Sequence, residues 1–131
     1  MLVVDASAVV ELLLRTPKAA TVGGHLKRSQ VHAPELIGYE TLSAIRGHVR
    51  GCRLTPGEGL GVMREFERIE ANLELWPLLE IMSECAVELR ENVTAYDASY
   101  VALAENLGCP LVTSDGRLAR AVERRIDVTL V

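Results

Sequence analysis

Short apolar segments alternate with longer helical segments along nearly the whole chain, and this alternation restricts the fold more than any other feature. The clearest unit spans residues 89–115, where a helix predicted over Ala95–Leu107 is followed by a Gly-Cys-Pro break and a short apolar strand. Strands that alternate with helices form a parallel sheet covered on both faces. We therefore predict an α/β fold, a three-layer α/β/α sandwich with a central, mainly parallel five-stranded sheet.

Proline, glycine and capping residues set the predicted boundaries. The predicted strands are 2–4, 31–33, 73–76, 111–113 and 128–131. The predicted helices begin after Asp5, at Thr16-Pro17, at Pro34, at Thr55-Pro56, at Pro77, at Ala95, and after a cap at Ser114 or Asp115. In the helix at Ala95, the side chains spaced three or four apart predict a buried stripe of Tyr96, Tyr100, Leu103 and Leu107.

Composition limits the classes of function. At 131 residues, 49% apolar and 24% charged, the chain is expected to form a single domain, 1–131, with a real core. A net charge of −4 argues against general adhesion to nucleic acid, so RNA binding would need local basic patches and a metal. Three scattered cysteines without a CxxC pair indicate neither a disulfide framework nor a zinc site. The absence of a basic leader and of a long apolar run predicts a cytoplasmic protein without a membrane segment.

Three of the four aspartates lie at junctions between predicted elements. Asp5 follows the first strand, Asp97 lies in the first turn of the helix at Ala95, and Asp115 follows the fourth strand. Each also has a structural explanation, because Asp5 and Asp115 suit helix N-caps and Asp97 suits a capping box with Thr94. The fourth, Asp127, precedes its strand and is expected to be solvated.

Convergence favours a metal site over four separate caps. The first and fourth strands of a doubly wound sheet flank the crevice where such folds bind ligands. Glu40 shares a helical row with Leu36 and Ala44, so it points with apolar neighbours and is expected to join the three aspartates. The only lysines, Lys18 and Lys27, are remote in sequence from these acids. Grouped carboxylates without a cation repel each other, and Mg²⁺ or Mn²⁺ would relieve that repulsion.

Four segments of the chain resemble PIN-domain ribonucleases. They are VVDASAVVELL (3–13), PELIGYETLSAIR (34–46), TAYDASYVALA (94–104) and LVTSD (111–115). The likeness covers essentially the whole chain and is greatest to bacterial VapC toxins of type II toxin–antitoxin pairs. The TAYDASYVALA segment is its most specific part.

The resemblance implies a function and a set of site residues. Asp5, Glu40, Asp97 and Asp115 would be the acidic metal-binding and catalytic set, and Thr113 would supply a hydroxyl that orients the site. The implied activity is Mg²⁺- or Mn²⁺-dependent hydrolysis of RNA by water, with a VapB-type antitoxin and a homodimer as assembly. That antitoxin would insert a segment, often with an arginine, into the site. Some members carry a further acid shortly after the position of Asp115, where this chain has Gly-Arg-Leu, so the likeness does not decide between one and two metals.

Basic residues and other functional classes leave alternatives open. Two helical rows of arginine are candidates for phosphate contacts, although solvated helix faces explain them as well. They are Arg46, Arg50 and Arg53, and Arg117, Arg120 and Arg124. A catalytically silent module whose acidic pocket captures a partner's arginine is one alternative to a nuclease. A receiver or phosphotransfer domain is another, but it requires a lysine near the end of a late strand, and no lysine follows Lys27.

Overall fold

A computed structural model describes residues 1–131 as one α/β structure with five strands and seven helices. The strands are β1 Leu2–Val4, β2 Val31–Pro34, β3 Glu74–Trp76, β4 Leu111–Thr113 and β5 Val128–Leu130. The helices are α1 Ala6–Leu13, α2 Ala19–Lys27, α3 Ile37–Arg50, α4 Pro56–Glu70, α5 Glu80–Glu88, α6 Ala95–Leu107 and α7 Gly116–Val122. None of these helices combines the length and the apolar character that a bilayer span requires.

All neighbouring strands are parallel, in the order β3-β2-β1-β4-β5. The chain therefore builds outward from β1 through β2 to β3 and then returns to the other side of β1 as β4. Right-handed crossovers consequently place α1 to α4 on one face of the sheet and α5 to α7 on the other. This arrangement confirms the predicted three-layer sandwich and makes the β1–β4 boundary the switch point, at which the carboxyl ends of two central strands lie side by side.

The core lies on both faces of the central strands. Every residue of β1 and β4 is buried, as the continuous apolar character of parallel strands predicts. Helix α6 packs on β1, β2 and β4, and its middle residues from Ala98 to Ala104 are all buried. Helix α6 is therefore enclosed between the sheet and α5, beside the switch point.

Three proline-based helix starts were wrong. Helix α2 begins at Ala19, after a turn that follows Pro17. Pro34 ends β2, where it pairs with Trp76, and α3 begins only at Ile37. Helix α5 likewise begins at Glu80 and not at Pro77. Each predicted start treated the proline as the first residue of a helix. The fixed φ of proline also suits the end of a strand or a turn, so proline alone does not show where a helix begins.

The predicted buried stripe of α6 is only partly correct. Tyr100 and Leu103 are fully buried and Leu107 is half-buried, but Tyr96 is 63% exposed. Tyr96 lies in the first turn of α6, beside an open groove between α3 and α5. The buried stripe therefore begins at Tyr100, one turn later than predicted, because no element covers the first turn of α6.

Candidate acidic site

Asp5 lies at the carboxyl end of β1 and is only 4% exposed. Its Oδ1 accepts hydrogen bonds from Ser7 Oγ at 2.6 Å and from the Ala8 N–H at 3.1 Å, which makes it the N-cap of α1. Its Oδ2 accepts from Thr113 Oγ1 at 2.6 Å. Burial raises the pKa of Asp5 above its ordinary value, and these hydrogen bonds oppose the rise. The N-cap explanation is thus correct, and it accounts for one oxygen only.

Hydroxyl groups connect β1 to β4 across the switch point. Thr113 is fully buried, and its Oγ1 also accepts the backbone N–H of Asp115 at 3.0 Å. Ser7 Oγ lies 3.2 Å from Thr113 Oγ1 and accepts the N–H of Ser114 at 2.9 Å. Thr113 is therefore the buried hydroxyl that connects Asp5 on β1 to Asp115 after β4. Ser7 was not predicted, although its place two residues after Asp5, in the first turn of α1, offered a signal.

Glu40 approaches the same region from α3. Its Oε2 accepts a 2.6 Å hydrogen bond from the hydroxyl of Tyr100 on α6, a contact that sequence reasoning missed. Burial raises the pKa of Glu40, the Tyr100 hydrogen bond lowers it, and the charges of Asp97 and Asp5 raise it further. The structure therefore brings Asp5, Glu40 and Asp97 close enough for their charges to interact.

Asp97 lies in the first turn of α6, where Thr94 is the N-cap. Thr94 caps α6 by accepting the N–H of Asp97 at 3.1 Å, but Asp97 returns no hydrogen bond to Thr94. By contrast, Thr55 and Glu58 form both halves of a capping box at α4. The capping box predicted for Asp97 is therefore only half formed. Its carboxylate makes no hydrogen bond and no ion pair, so it is free to bind a ligand.

Asp115 is attached to the cluster less directly. Its Oδ1 accepts the N–H groups of Arg117 and Leu118, so the carboxylate caps α7. The backbone N–H of Asp115 donates to Thr113 Oγ1, and that hydroxyl donates to Asp5 Oδ2. Asp115 is therefore connected to Asp5 through Thr113. The charges that raise the pKa of Glu40 do not include Asp115. Three of the four predicted acids thus interact electrostatically, and the fourth joins them through Thr113.

Glu40, alone among the four predicted acids, lines an open cavity of about 390 Å³. Its polar lining consists of Ser7, Glu11, Glu40 and Ser114. Glu11 has a nearby cation, because Lys18 Nζ lies 3.8 Å from it. No lysine or arginine forms an ion pair with any of the four predicted acids. The negative charge at the switch point is therefore left uncompensated by the protein.

The donor chemistry and the spacing of the site together indicate how a cation would bind. Carboxylates and hydroxyls are hard oxygen donors, and no histidine or cysteine bonds to the acids, so the set fits Mg²⁺ or Mn²⁺ better than zinc. No three acidic, histidine or cysteine side chains form a ready ligand group. A cation bound here would therefore need water for most of its ligands.

The candidate RNA-binding arginines are exposed and free. Arg46, Arg50, Arg53, Arg117, Arg120 and Arg124 are all exposed, and none forms an ion pair. Arg120 folds back along α7, so that its Nη1 would lie 3.2 Å from a Cβ added to Gly116. Its guanidinium consequently lies near the start of α7, beside Gly116. Asp127 is exposed, as expected of a residue outside the site.

Comparison with known proteins identifies the family. The PIN domain family model matches residues 2–123. Ribonuclease VapC12 of Mycobacterium tuberculosis is 42% identical over 131 residues, covering 100% of this chain and 99% of the relative. PAE2754 from Pyrobaculum aerophilum superposes with a TM-score of 0.69 at 28% identity, covering 96% of this chain and 87% of that one. VapBC2 from Rickettsia felis, bound to a DNA fragment from its promoter, shares the fold with a TM-score of 0.69 at 11% identity, over 99% of this chain and 98% of the other. The family match over residues 2–123 and the 42% identity over the full chain show that the chain belongs to the PIN-domain family and, within it, to the VapC ribonucleases.

Proposed function

We propose that this protein is a divalent-metal-dependent ribonuclease that acts as the toxin of a VapBC-type toxin–antitoxin pair and hydrolyses RNA phosphodiester bonds with water. One observation carries the proposal: Asp5, Glu40 and Asp97 come from three different elements and share one region without a cationic partner. Burial also raises the pKa of both Asp5 and Glu40, which means that folding makes the charged form of each carboxylate less stable. The protein supplies no cation to offset this cost, as is common at functional sites. The name of the Mycobacterium relative supports the same activity.

The acids divide the chemistry between them. Asp5, Asp97 and Asp115 would hold Mg²⁺ or Mn²⁺, directly or through water, and Thr113 would keep Asp5 and Asp115 in register. Glu40 would orient the attacking water and accept its proton. The bound cation would supply positive charge to the scissile phosphate and lower the pKa of water.

The arginines in and just after α7 are the better candidates for the RNA backbone. Arg117 and Arg120 lie on α7, which Asp115 caps, and Arg124 lies in the turn that follows the helix. Arg120 folds back toward the start of α7. Arg46 and Arg50 lie on α3, after Glu40. Because both rows are exposed and unpaired, each is able to bind phosphate, but the first begins at the acidic site itself.

The assembly follows from the family and from one exposed groove. A VapB-type antitoxin is the expected partner, in line with the VapBC2 complex. We also propose a homodimer, because Tyr39, Leu78 and Tyr96 are strongly exposed and line a largely apolar groove of about 420 Å³. Light scattering that gives the 14.3 kDa mass of one chain would contradict the dimer.

The deciding experiment compares wild type with Asp97→Asn on structured RNA in Mg²⁺, in Mn²⁺ and in a chelator. We expect cleavage by wild type only with metal, and a loss of at least about 100-fold in Asp97→Asn, since the acid would bind the cation that stabilises the transition state. Asp127→Asn is the matched control, because Asp127 is exposed and lies at the other end of a strand. Metal-independent cleavage, or full activity in Asp97→Asn, would exclude this mechanism.

The same experiment separates the alternatives. A silent binding module would cleave no RNA in any metal and would bind its arginine-bearing partner equally well in chelator. The receiver hypothesis finds no support, because neither lysine follows a late strand: Lys18 lies in the turn before α2 and pairs with Glu11, and Lys27 ends α2.

A further inference from the structure

Tyr100 is a buried residue that touches the acidic site without being an acid. It lies in the middle of α6, is 1% exposed, and donates its hydroxyl to Glu40 Oε2 at 2.6 Å. Its hydroxyl also faces the backbone of Ala6, next to Asp5. This phenol group therefore links α6 to α3 through Glu40.

The hydroxyl of Tyr100 acts as a fixed donor. A phenol carries one O–H donor, and the 2.6 Å separation directs that donor at Glu40 Oε2. Because the ring is buried in the middle of α6, the hydroxyl has a fixed position from which to donate. Glu40 is therefore the acceptor of this hydrogen bond.

This hydrogen bond leaves the two oxygens of Glu40 in different situations. Oε2 is bound to Tyr100, whereas Oε1 has no hydrogen-bond partner. Glu40 lines the cavity of about 390 Å³ together with Ser7 and Ser114. A glutamate has three rotatable side-chain bonds, and a partly exposed one would otherwise sample several rotamers.

Asp97 and Tyr100 stand three residues apart on α6 and therefore share one face of that helix. From that face α6 supplies Asp97 directly, and through the Tyr100 hydroxyl it holds Glu40 of α3. We propose that Tyr100 is a positioning residue of the site, whose hydroxyl fixes Glu40 so that its free oxygen serves the bound cation and its water. This inference rests on the proposed function in that it assigns Glu40 to the metal site.

The test replaces Tyr100 by phenylalanine, which keeps the buried ring and removes only the hydroxyl. Thr41→Val is the matched control, because Thr41 is also fully buried, but its Oγ1 has no hydrogen-bond partner. Mn²⁺ affinity is measured by calorimetry, together with RNA cleavage and with melting in chelator. We expect Tyr100→Phe to weaken Mn²⁺ binding by about 10- to 100-fold, the usual effect of losing a group that orients a ligand, and Thr41→Val to match wild type.

A double-mutant cycle with Glu40→Gln separates positioning from simple stability. If Tyr100 acts through Glu40, Tyr100→Phe causes no further loss of Mn²⁺ affinity or cleavage in the Glu40→Gln background. An equal loss in both backgrounds would overturn the proposal, as would wild-type Mn²⁺ affinity in Tyr100→Phe.

A readout that needs no metal keeps this inference distinct from the proposed function. In crystals of the metal-free protein, Glu40 should hold one conformation in wild type and several in Tyr100→Phe. A wild type that neither binds Mn²⁺ nor cleaves RNA would refute the nuclease proposal. One ordered Glu40 conformation in both proteins would refute the positioning role.

Discussion

Thr113→Val tests the hydroxyl network that joins β1 to β4. The substitution keeps the branched shape that a buried strand requires and removes a single oxygen. In wild type that oxygen donates to Asp5 Oδ2 at 2.6 Å and accepts the N–H of Asp115 at 3.0 Å. Valine would leave a buried carboxylate oxygen without its donor and a backbone N–H without its acceptor.

The free energy of unfolding should fall by about 3 kcal/mol. A hydrogen bond to a charged group contributes roughly 1.5–3 kcal/mol, and an amide left without its acceptor costs about 1 kcal/mol or more. With an unfolding entropy of roughly 2.1 cal/mol/K per residue, 131 residues give a melting temperature lower by about 10 °C. The hydrogen bond from Thr113 also lowers the pKa of Asp5, so the variant should hold a more easily protonated Asp5.

The assay is thermal unfolding followed by circular dichroism, in chelator so that metal affinity does not contribute. Thr41→Val is the matched control, because Thr41 is also fully buried but its Oγ1 has no hydrogen-bond partner. Removal of that unpaired hydroxyl should leave the melting temperature unchanged or raise it. Equal melting temperatures for the two variants would refute the view that Thr113 is held by its hydrogen bonds.

Two further predictions concern pH and RNA. Because burial raises the folded-state pKa of Glu40, the folded protein retains a proton that the unfolded chain has lost, so stability falls as pH rises from the ordinary carboxyl pKa through the raised one. Glu40→Gln should reduce the loss of metal-free stability as pH rises above the ordinary carboxyl pKa, and should raise stability at neutral pH. A melting temperature that depends on pH as in wild type would contradict this. Arg120→Gln should weaken RNA binding in chelator and reduce the salt dependence by about 0.7 in log–log slope, more than Arg46→Gln does. An equal effect of both substitutions would remove the preference for α7.

Much of the fold could be read from local chemistry. Apolar runs and the Gly-Cys-Pro break predicted β1, β4 and α6, whose bounds agree with the structure. The helix starts at Pro34 and Pro77 were wrong because a proline fixes φ without deciding whether a strand, a turn or a helix follows. Tyr96 was wrongly placed in the core because helical spacing identifies a face but not whether another element covers it.

The site was predicted as a set of acids and not as a geometry. Asp5, Asp97 and Asp115 could be found because each stands at a junction, and Glu40 because it interrupts an apolar row. The donors that hold them were mostly missed, since Ser7 and Tyr100 look like an ordinary first-turn serine and an ordinary core tyrosine. Their roles depend on contacts with residues far away in the chain, and no local pattern encodes such contacts.

The sequence by itself determined the alternation of strands and helices and the type of chemistry, because element periodicity and the scarcity of cations near the acids are local and compositional properties. Only the tertiary structure decided which oxygen of each acid is already used. Thr113 binds one oxygen of Asp5, Tyr100 binds one of Glu40, and α7 binds one of Asp115. Asp97 keeps both of its oxygens free, because the fold completes only half of its capping box. The physical reason is that a hydrogen bond depends on distance and direction in space, and packing across the β1–β4 switch point sets both.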